Sequence, residues 1–266
     1  MIGIHGIAGI GKTTLAQGIY NQIAHQFEDA RFLSNVAEVE EHRGSLELQR
    51  QLLEDILWPK IARISSIDEG LSLIKKTLCS RKVLIILEDV SALTQLEFLA
   101  GSHHWFGSGS RIIITTRNKH LLDVHEVDEL YEVEKLNSEE ALQLFSLWAF
   151  KADLPRDGFW DLSGRALNYC DGLPLAVKVV GSLLYGRRKL EWENTLLKLQ
   201  TVGERNVQKV LRLSYDRLDH TEKDLFLDIA CSSEGRTQIL LEEYLIVATS
   251  LQLEWKFSKI VLSSVF

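Results

Sequence analysis

Gly6-Ile7-Ala8-Gly9-Ile10-Gly11-Lys12-Thr13 has the residue types and spacing of a phosphate-binding loop, G-x-x-x-x-G-K-[ST]. A loop that wraps a di- or triphosphate turns successive backbone N–H groups inward. That needs positive φ and a close approach that a Cβ blocks, and Gly6, Gly9 and Gly11 allow both. Lys12 is expected to reach β- and γ-phosphate oxygens, and Thr13 to give its hydroxyl to Mg²⁺. A second chemical cluster is Glu88-Asp89, two acids that close the apolar run Val83-Leu84-Ile85-Ile86-Leu87. An acid at the end of a central strand holds the Mg²⁺ shell in phosphate-binding folds. Glu88 is therefore the expected metal residue, and Asp89 the one acid available as a catalytic base. Arg117 lies just past another apolar run and is expected to sense the terminal phosphate; a surface arginine on a loop is the competing reading.

Elements must bring these groups together. Met1 to His5 reads as the strand before the loop, and Thr14 to Tyr20 as the helix after it, ending near Phe27. Ala30 to Val36 reads as a second strand. Helices follow over 45–57, stopped by Trp58-Pro59, and over 68–78. The run ending in Glu88-Asp89 is apolar without alternation, which suits a strand buried on both faces of a parallel sheet. Ser110 to Arg117, after the turn-rich Gly107-Ser108-Gly109, and Leu130 to Val133 complete five strands alternating with helices. That pattern predicts an α/β fold with a doubly wound parallel sheet.

From Asn137 the pattern is helical throughout. Asn137 and Glu140 have capping-box spacing before the face Ala141, Leu142, Leu144, Phe145, Trp148 and Ala149. Further helices are expected over 159–170, 175–184 and 190–199. Gly172 suits a left-handed helix stop and Pro174 a helix first turn, so Asp171-Gly172-Leu173-Pro174 reads as a helix–turn–helix corner without a ligand. Amphipathic spacing continues over 206–218, and Thr221 caps a helix to Cys231. Beyond Ser232 the pattern fades.

The whole chain bounds the function. Of 266 residues, 45% are hydrophobic and 25% charged, as in an ordinary globular protein. A net charge of −7 argues against nucleic acid as the partner. Three widely spaced cysteines, Cys79, Cys170 and Cys231, read as reduced, mostly buried thiols of an intracellular, cytoplasmic protein. His103-His104 reads as a loop rather than a ligand pair. No apolar run reaches membrane-spanning length, and Met1 runs into the first strand without a leader.

In order, Gly-Ile-Ala-Gly-Ile-Gly-Lys-Thr-Thr at 6–14, Leu-Glu-Asp-Val at 87–90, the Trp105 to Arg117 stretch, Gly172-Leu-Pro-Leu-Ala176 and Phe226-Leu-Asp-Ile-Ala-Cys231 resemble one known module. It is the NB-ARC nucleotide-binding module of plant disease-resistance proteins, especially those with an N-terminal TIR domain. The resemblance implies a P-loop NTPase domain over residues 1–135, an all-α ARC subdomain over 136–200 and the start of a winged-helix ARC subdomain over 201–231. A divergent tail occupies 232–266. It implies binding of ADP and ATP with Mg²⁺ as a molecular switch of an immune receptor, beside other receptor domains or chains. Thr14 joins Lys12 and Thr13 at the phosphates, Arg117 becomes the sensor arginine, and Pro174 packs near adenine and ribose. Where this family usually has Asp-Asp, this chain has Glu88-Asp89. The family's Met-His-Asp motif does not occur, so the chain reads as truncated. Alternatives are a slow ATPase and a non-switching interaction fragment or decoy.

Overall fold

The computed structural model describes residues 1–57 and 64–201. The expected stop at Trp58-Pro59, the helices over 206–218 and 222–231, Cys231, the winged-helix start and the tail lie outside the described residues.

The described residues form two compact units, residues 1–8 with 12–133, and residues 9–11 with 134–201. The first is a five-stranded, wholly parallel sheet in the order β2-β3-β4-β1-β5. Its strands are β1 (Ile2–His5), β2 (Asp29–Leu33), β3 (Val83–Val90), β4 (Arg111–Thr116) and β5 (Glu129–Glu132). The central strand β3 is buried at every position except Asp89, which explains its unbroken apolar sequence. Val83, Ile85 and Leu87, with Ile112 and Ile114 of β4, face one hydrophobic core. Leu48, Leu52 and Leu53 of helix α3 (Ser45–Leu57) and Ile74 and Leu78 of α4 (Ile67–Leu78) pack into that core. The alternate residues Leu84, Ile86 and Ile113 are also buried. Their strands carry helix α1 (Lys12–Ile23), which buries Leu15, Ala16 and Ile19. Apolar side chains on both faces of the sheet account for the doubly wound pattern expected from sequence.

Three helices of this unit escape a sequence reading. Between α1 and α3, the expected strand over 30–36 is cut short at Leu33. Asn35 takes the left-handed conformation at φ 50, and α2 (Val36–Arg43) begins. Only Val36 of α2 is buried, so no apolar stripe announces it. Helices α5 (Leu93–Ala100) and α6 (Lys119–Val124), of eight and six residues, are too short to show a clear period. His103-His104 sits in a 3₁₀ turn, His103–Trp105.

The second unit contains α7 (Ser138–Phe150), α8 (Trp160–Cys170), α9 (Pro174–Leu184) and α10 (Lys189–Thr201). Asn137 accepts hydrogen bonds from the Glu139 and Glu140 N–H groups, while Glu140 accepts from the Asn137 N–H, each at 3.0 Å. That is the capping box read from sequence. The core is aromatic: Phe145, Phe150 and Phe159 surround Trp192, with ring centroids 5.0 to 5.8 Å from it. The Trp192 indole N–H donates to the Leu184 carbonyl at 2.9 Å, so its one polar group is satisfied in burial. At the α8–α9 corner, Asp171 and Gly172 are both left-handed, φ 50 and 68, and Pro174 opens α9. A Cβ on Gly172 would lie 2.6 Å from the Leu136 carbonyl oxygen, so this stop needs glycine for space as well as for φ.

Candidate functional site

Parallel pairing sets the site at one edge of the sheet. Ile4 and His5 register with Thr115 and Thr116, and Thr116 registers with Val90, so β1, β3 and β4 end side by side. At this edge β1 leads into the loop from Gly6, β3 ends in the Glu88-Asp89 turn, and β4 is succeeded by Arg117. In open α/β sheets this carboxyl edge is where ligands bind.

Helix α1 begins at Lys12, so the N–H groups of Lys12, Thr13 and Thr14 lie in a first turn that leaves them without helical partners. With the dipole of a twelve-residue helix behind them, they favour an anion. Lys12 is only 8% exposed, and its ammonium donates to the Gly6 and Ile7 carbonyls, both at 3.0 Å. Two of its three N–H groups are thereby used, and one remains for a ligand. Burial holds its pKa below the ordinary lysine value; the nearby charge of Arg117 also lowers it, while Asp89 and Glu88 pull the other way. Thr14 is exposed.

Glu88 is buried, and each of its carboxylate oxygens has a donor. The Thr13 hydroxyl donates to Oε1 at 2.5 Å and the Asn35 backbone N–H to Oε2 at 2.8 Å. Two oxygens bound side by side on an octahedral Mg²⁺ stand about 3.0 Å apart, from metal–oxygen distances of about 2.1 Å. At 2.5 Å the Glu88 carboxylate instead grips the Thr13 hydroxyl directly. Hydroxyl and carboxylate are nevertheless the hard oxygen donors that fit Mg²⁺. Among the described residues no cluster of three or more His, Cys, Asp or Glu forms a dedicated metal cage. That is ordinary for Mg²⁺, which takes one or two protein groups and completes its shell with phosphate and water.

Asp89 interrupts β3. Its φ is +55, the pairing of β3 with β4 shifts between Leu87 and Val90, and its N–H donates to the Thr115 hydroxyl at 3.0 Å. The Arg117 guanidinium donates to both carboxylate oxygens of Asp89, from Nη2 at 3.1 Å and Nε at 3.4 Å. Hydrogen bonding and charge from Asp89 push the arginine pKa above its ordinary value.

The first unit thus brings Gly6, Lys12, Thr13, Glu88, Asp89 and Arg117 to one edge. Gly9, Gly11 and Pro174 belong to the second unit. There the Leu175 N–H, next to Pro174, donates to the Gly9 carbonyl at 3.2 Å. Gly9 has φ +75, and a Cβ on it would come within 2.8 Å of the Leu175 side chain. Gly11 has φ +103. Asn35 and Thr115, which steady the two acids, were not visible in the sequence. Both act through contacts between distant segments, and Asn35 through its backbone. The only local hint was that Asn tolerates a left-handed turn.

Residues 1–155 match the NB-ARC domain. The chain belongs to that family. NB-ARC is a nucleotide-binding P-loop domain. The chain is 51% identical over 243 residues to disease resistance protein RPV1 of Vitis rotundifolia, covering 90% of this chain and 17% of that protein. It is 48% identical over 246 residues to disease resistance protein RUN1 of Vitis rotundifolia, with 92% and 18% covered. To TMV resistance protein N of Nicotiana glutinosa the figures are 40% over 242 residues, 88% and 21%. The chain therefore spans about a fifth of the length of these relatives. Among the described residues of this NB-ARC chain, no helix is long and apolar enough to cross a membrane.

Proposed function

We propose that this chain is the ADP/ATP-binding switch module of an intracellular, cytoplasmic plant immune receptor. Its nucleotide domain would cover residues 1–135, its helical ARC subdomain 136–200 and the start of the next subdomain 201–231. The observation that carries the reading is the pairing of a nearly buried Lys12 at a helix N-terminus with Thr13, Glu88 and Arg117 at one sheet edge. The relatives' names add plant disease resistance.

In this reading Gly6, Gly9, Gly11, Lys12, Thr13 and Thr14 bind the phosphates, and Pro174 packs near adenine and ribose. Mg²⁺, held by the Thr13 hydroxyl with Glu88 beside it, would neutralise phosphate charge. Lys12 gives its free N–H to the β- or γ-phosphate, and Glu88 orients the Thr13 hydroxyl by accepting its hydrogen bond. Arg117 senses the terminal phosphate. Other receptor domains are the natural partners.

The test is nucleotide content: the chain and its Lys12→Ala variant are purified and denatured, and released ADP and ATP are measured by chromatography. Near-stoichiometric ADP from the parent and little from the variant is expected. A folded parent that neither retains nucleotide nor binds it at millimolar concentration would sink the proposal.

A slow ATPase is the second reading, favoured by the carboxylate of Asp89 at this edge. Asp89 is already engaged by Arg117, which leaves it a poor free base, so turnover is expected to be slow. Steady phosphate release well above the Lys12→Ala control would reverse that order.

A further inference from the structure

We propose that Asp89 sets the discrimination between nucleoside diphosphate and triphosphate, by holding Arg117 in an ion pair that a terminal phosphate must take over. The proposal rests on the nucleotide-binding reading above and assigns one of its residues a role of its own.

Three observations carry it. First, the Arg117 guanidinium reaches both oxygens of Asp89, at 3.1 and 3.4 Å, so its side-on donors are spent on this carboxylate. Second, Asp89 is held in place by its backbone: φ is +55, the strand register breaks around it, and its N–H is fixed on Thr115. An L-residue pays for positive φ, and this one does so where its side chain meets the arginine. Third, the pair is accessible. The Arg117 side chain is 62% exposed and that of Asp89 31%, so the bond is weak enough to exchange.

Place and charge supply the rest. Arg117 follows Thr116, which registers with His5, the residue before Gly6, so the arginine stands beside the start of the phosphate loop. The charge of Asp89 also acts on Lys12, where it opposes the lowering of the lysine pKa by burial, so both cations feel this one acid. A diphosphate held by the loop and Lys12 leaves the Arg117–Asp89 pair intact. A third phosphoryl group offers the guanidinium a more highly charged, bidentate acceptor, and Arg117 can take it only by giving up Asp89. The carboxylate therefore favours the diphosphate form twice, by occupying the arginine and by repelling the incoming charge through space. Only the first effect depends on Arg117.

The test uses the full chain with Mg²⁺ and isothermal titration of ADP and of the non-hydrolysable β,γ-imido analogue of ATP. Asp89→Asn keeps a residue that tolerates positive φ but removes the charge, and Asp89→Gly provides a second variant with the same backbone freedom. Each is expected to tighten the triphosphate analogue relative to ADP by about two- to five-fold, the factor an exposed ion pair is worth. In an Arg117→Gln background, where only the through-space repulsion remains, the same substitutions should shift the ratio of the two affinities by clearly less than in the parent. An equal gain in that background would mean plain repulsion by Asp89 and overturn the proposal, as would an unchanged ratio in the single variants. Failure of the parent to bind either nucleotide would overturn the nucleotide reading and this proposal together. Binding with an unaltered ratio overturns this proposal alone.

Discussion

Asp89 and Cys170 show how much one residue's surroundings decide. Adjacent acids in the sequence, Glu88 and Asp89 have different tasks because Asp89 itself takes a positive φ: Glu88 is buried on Thr13 and Asn35, Asp89 turned to Arg117. The cysteines divide in the same way. Sequence reasoning expected mostly buried thiols, yet Cys79 is exposed just past the end of α4, while Cys170 is buried in α8 and its thiol is pushed up to about 12 by burial. Alkylation at mildly alkaline pH, followed by peptide mass mapping, is expected to label Cys79 in the native chain and Cys170 only after unfolding. Equal rates would contradict the packing of α8. The raised thiol also has a signed consequence. Its folded pKa lies above the ordinary 9.0, so its contribution to stability is complete below about pH 9 and is lost as pH rises towards 12. Over that window its share of stability should fall by up to about 1.4 kcal/mol per pH unit, and Cys170→Ala removes that share while the raised phenol of Tyr169 keeps its own.

At the scale of elements, caps and cores have different weights. The α7 box is exposed and satisfies a few backbone donors, whereas Trp192 fills the helical unit and is 1% exposed. Asn137→Ala is expected to cost about 1 kcal/mol and Trp192→Ala about 3–5. Urea unfolding followed by circular dichroism measures both. Comparable costs would mean that the aromatic cluster is not what holds these helices. In the sheet, α2 matters through its start rather than its face: the turn at Asn35 ends β2 early and supplies the N–H that Glu88 accepts. That explains why a segment with one buried residue is folded as a helix there.

For the whole molecule the decisive quantity is linkage. A ligand at about 1,000 times its Kd adds roughly 4 kcal/mol, a large share of the 5–15 kcal/mol typical of a domain. Saturating ADP with Mg²⁺ is therefore expected to raise Tm by on the order of 10 °C. Scanning calorimetry of the parent and of Lys12→Ala would check this; a parent that melts at one temperature with and without ADP would contradict tight binding.

Much of this was legible in the chain itself. The phosphate loop, the buried β3 run, the acids that close it, Arg117, the α7 capping box and the α8–α9 corner could be read because each depends on residues close in sequence, where glycine freedom, proline geometry and apolar period act directly. Their order sufficed for the fold class and family. What only the tertiary structure decided was the partnership of residues far apart: Thr13 and Asn35 on Glu88, Thr115 beneath Asp89, and Arg117 across it. No local pattern encodes these contacts. They exist because parallel pairing brings the ends of β1, β3 and β4 to one edge, and because a buried carboxylate must find donors wherever the fold offers them.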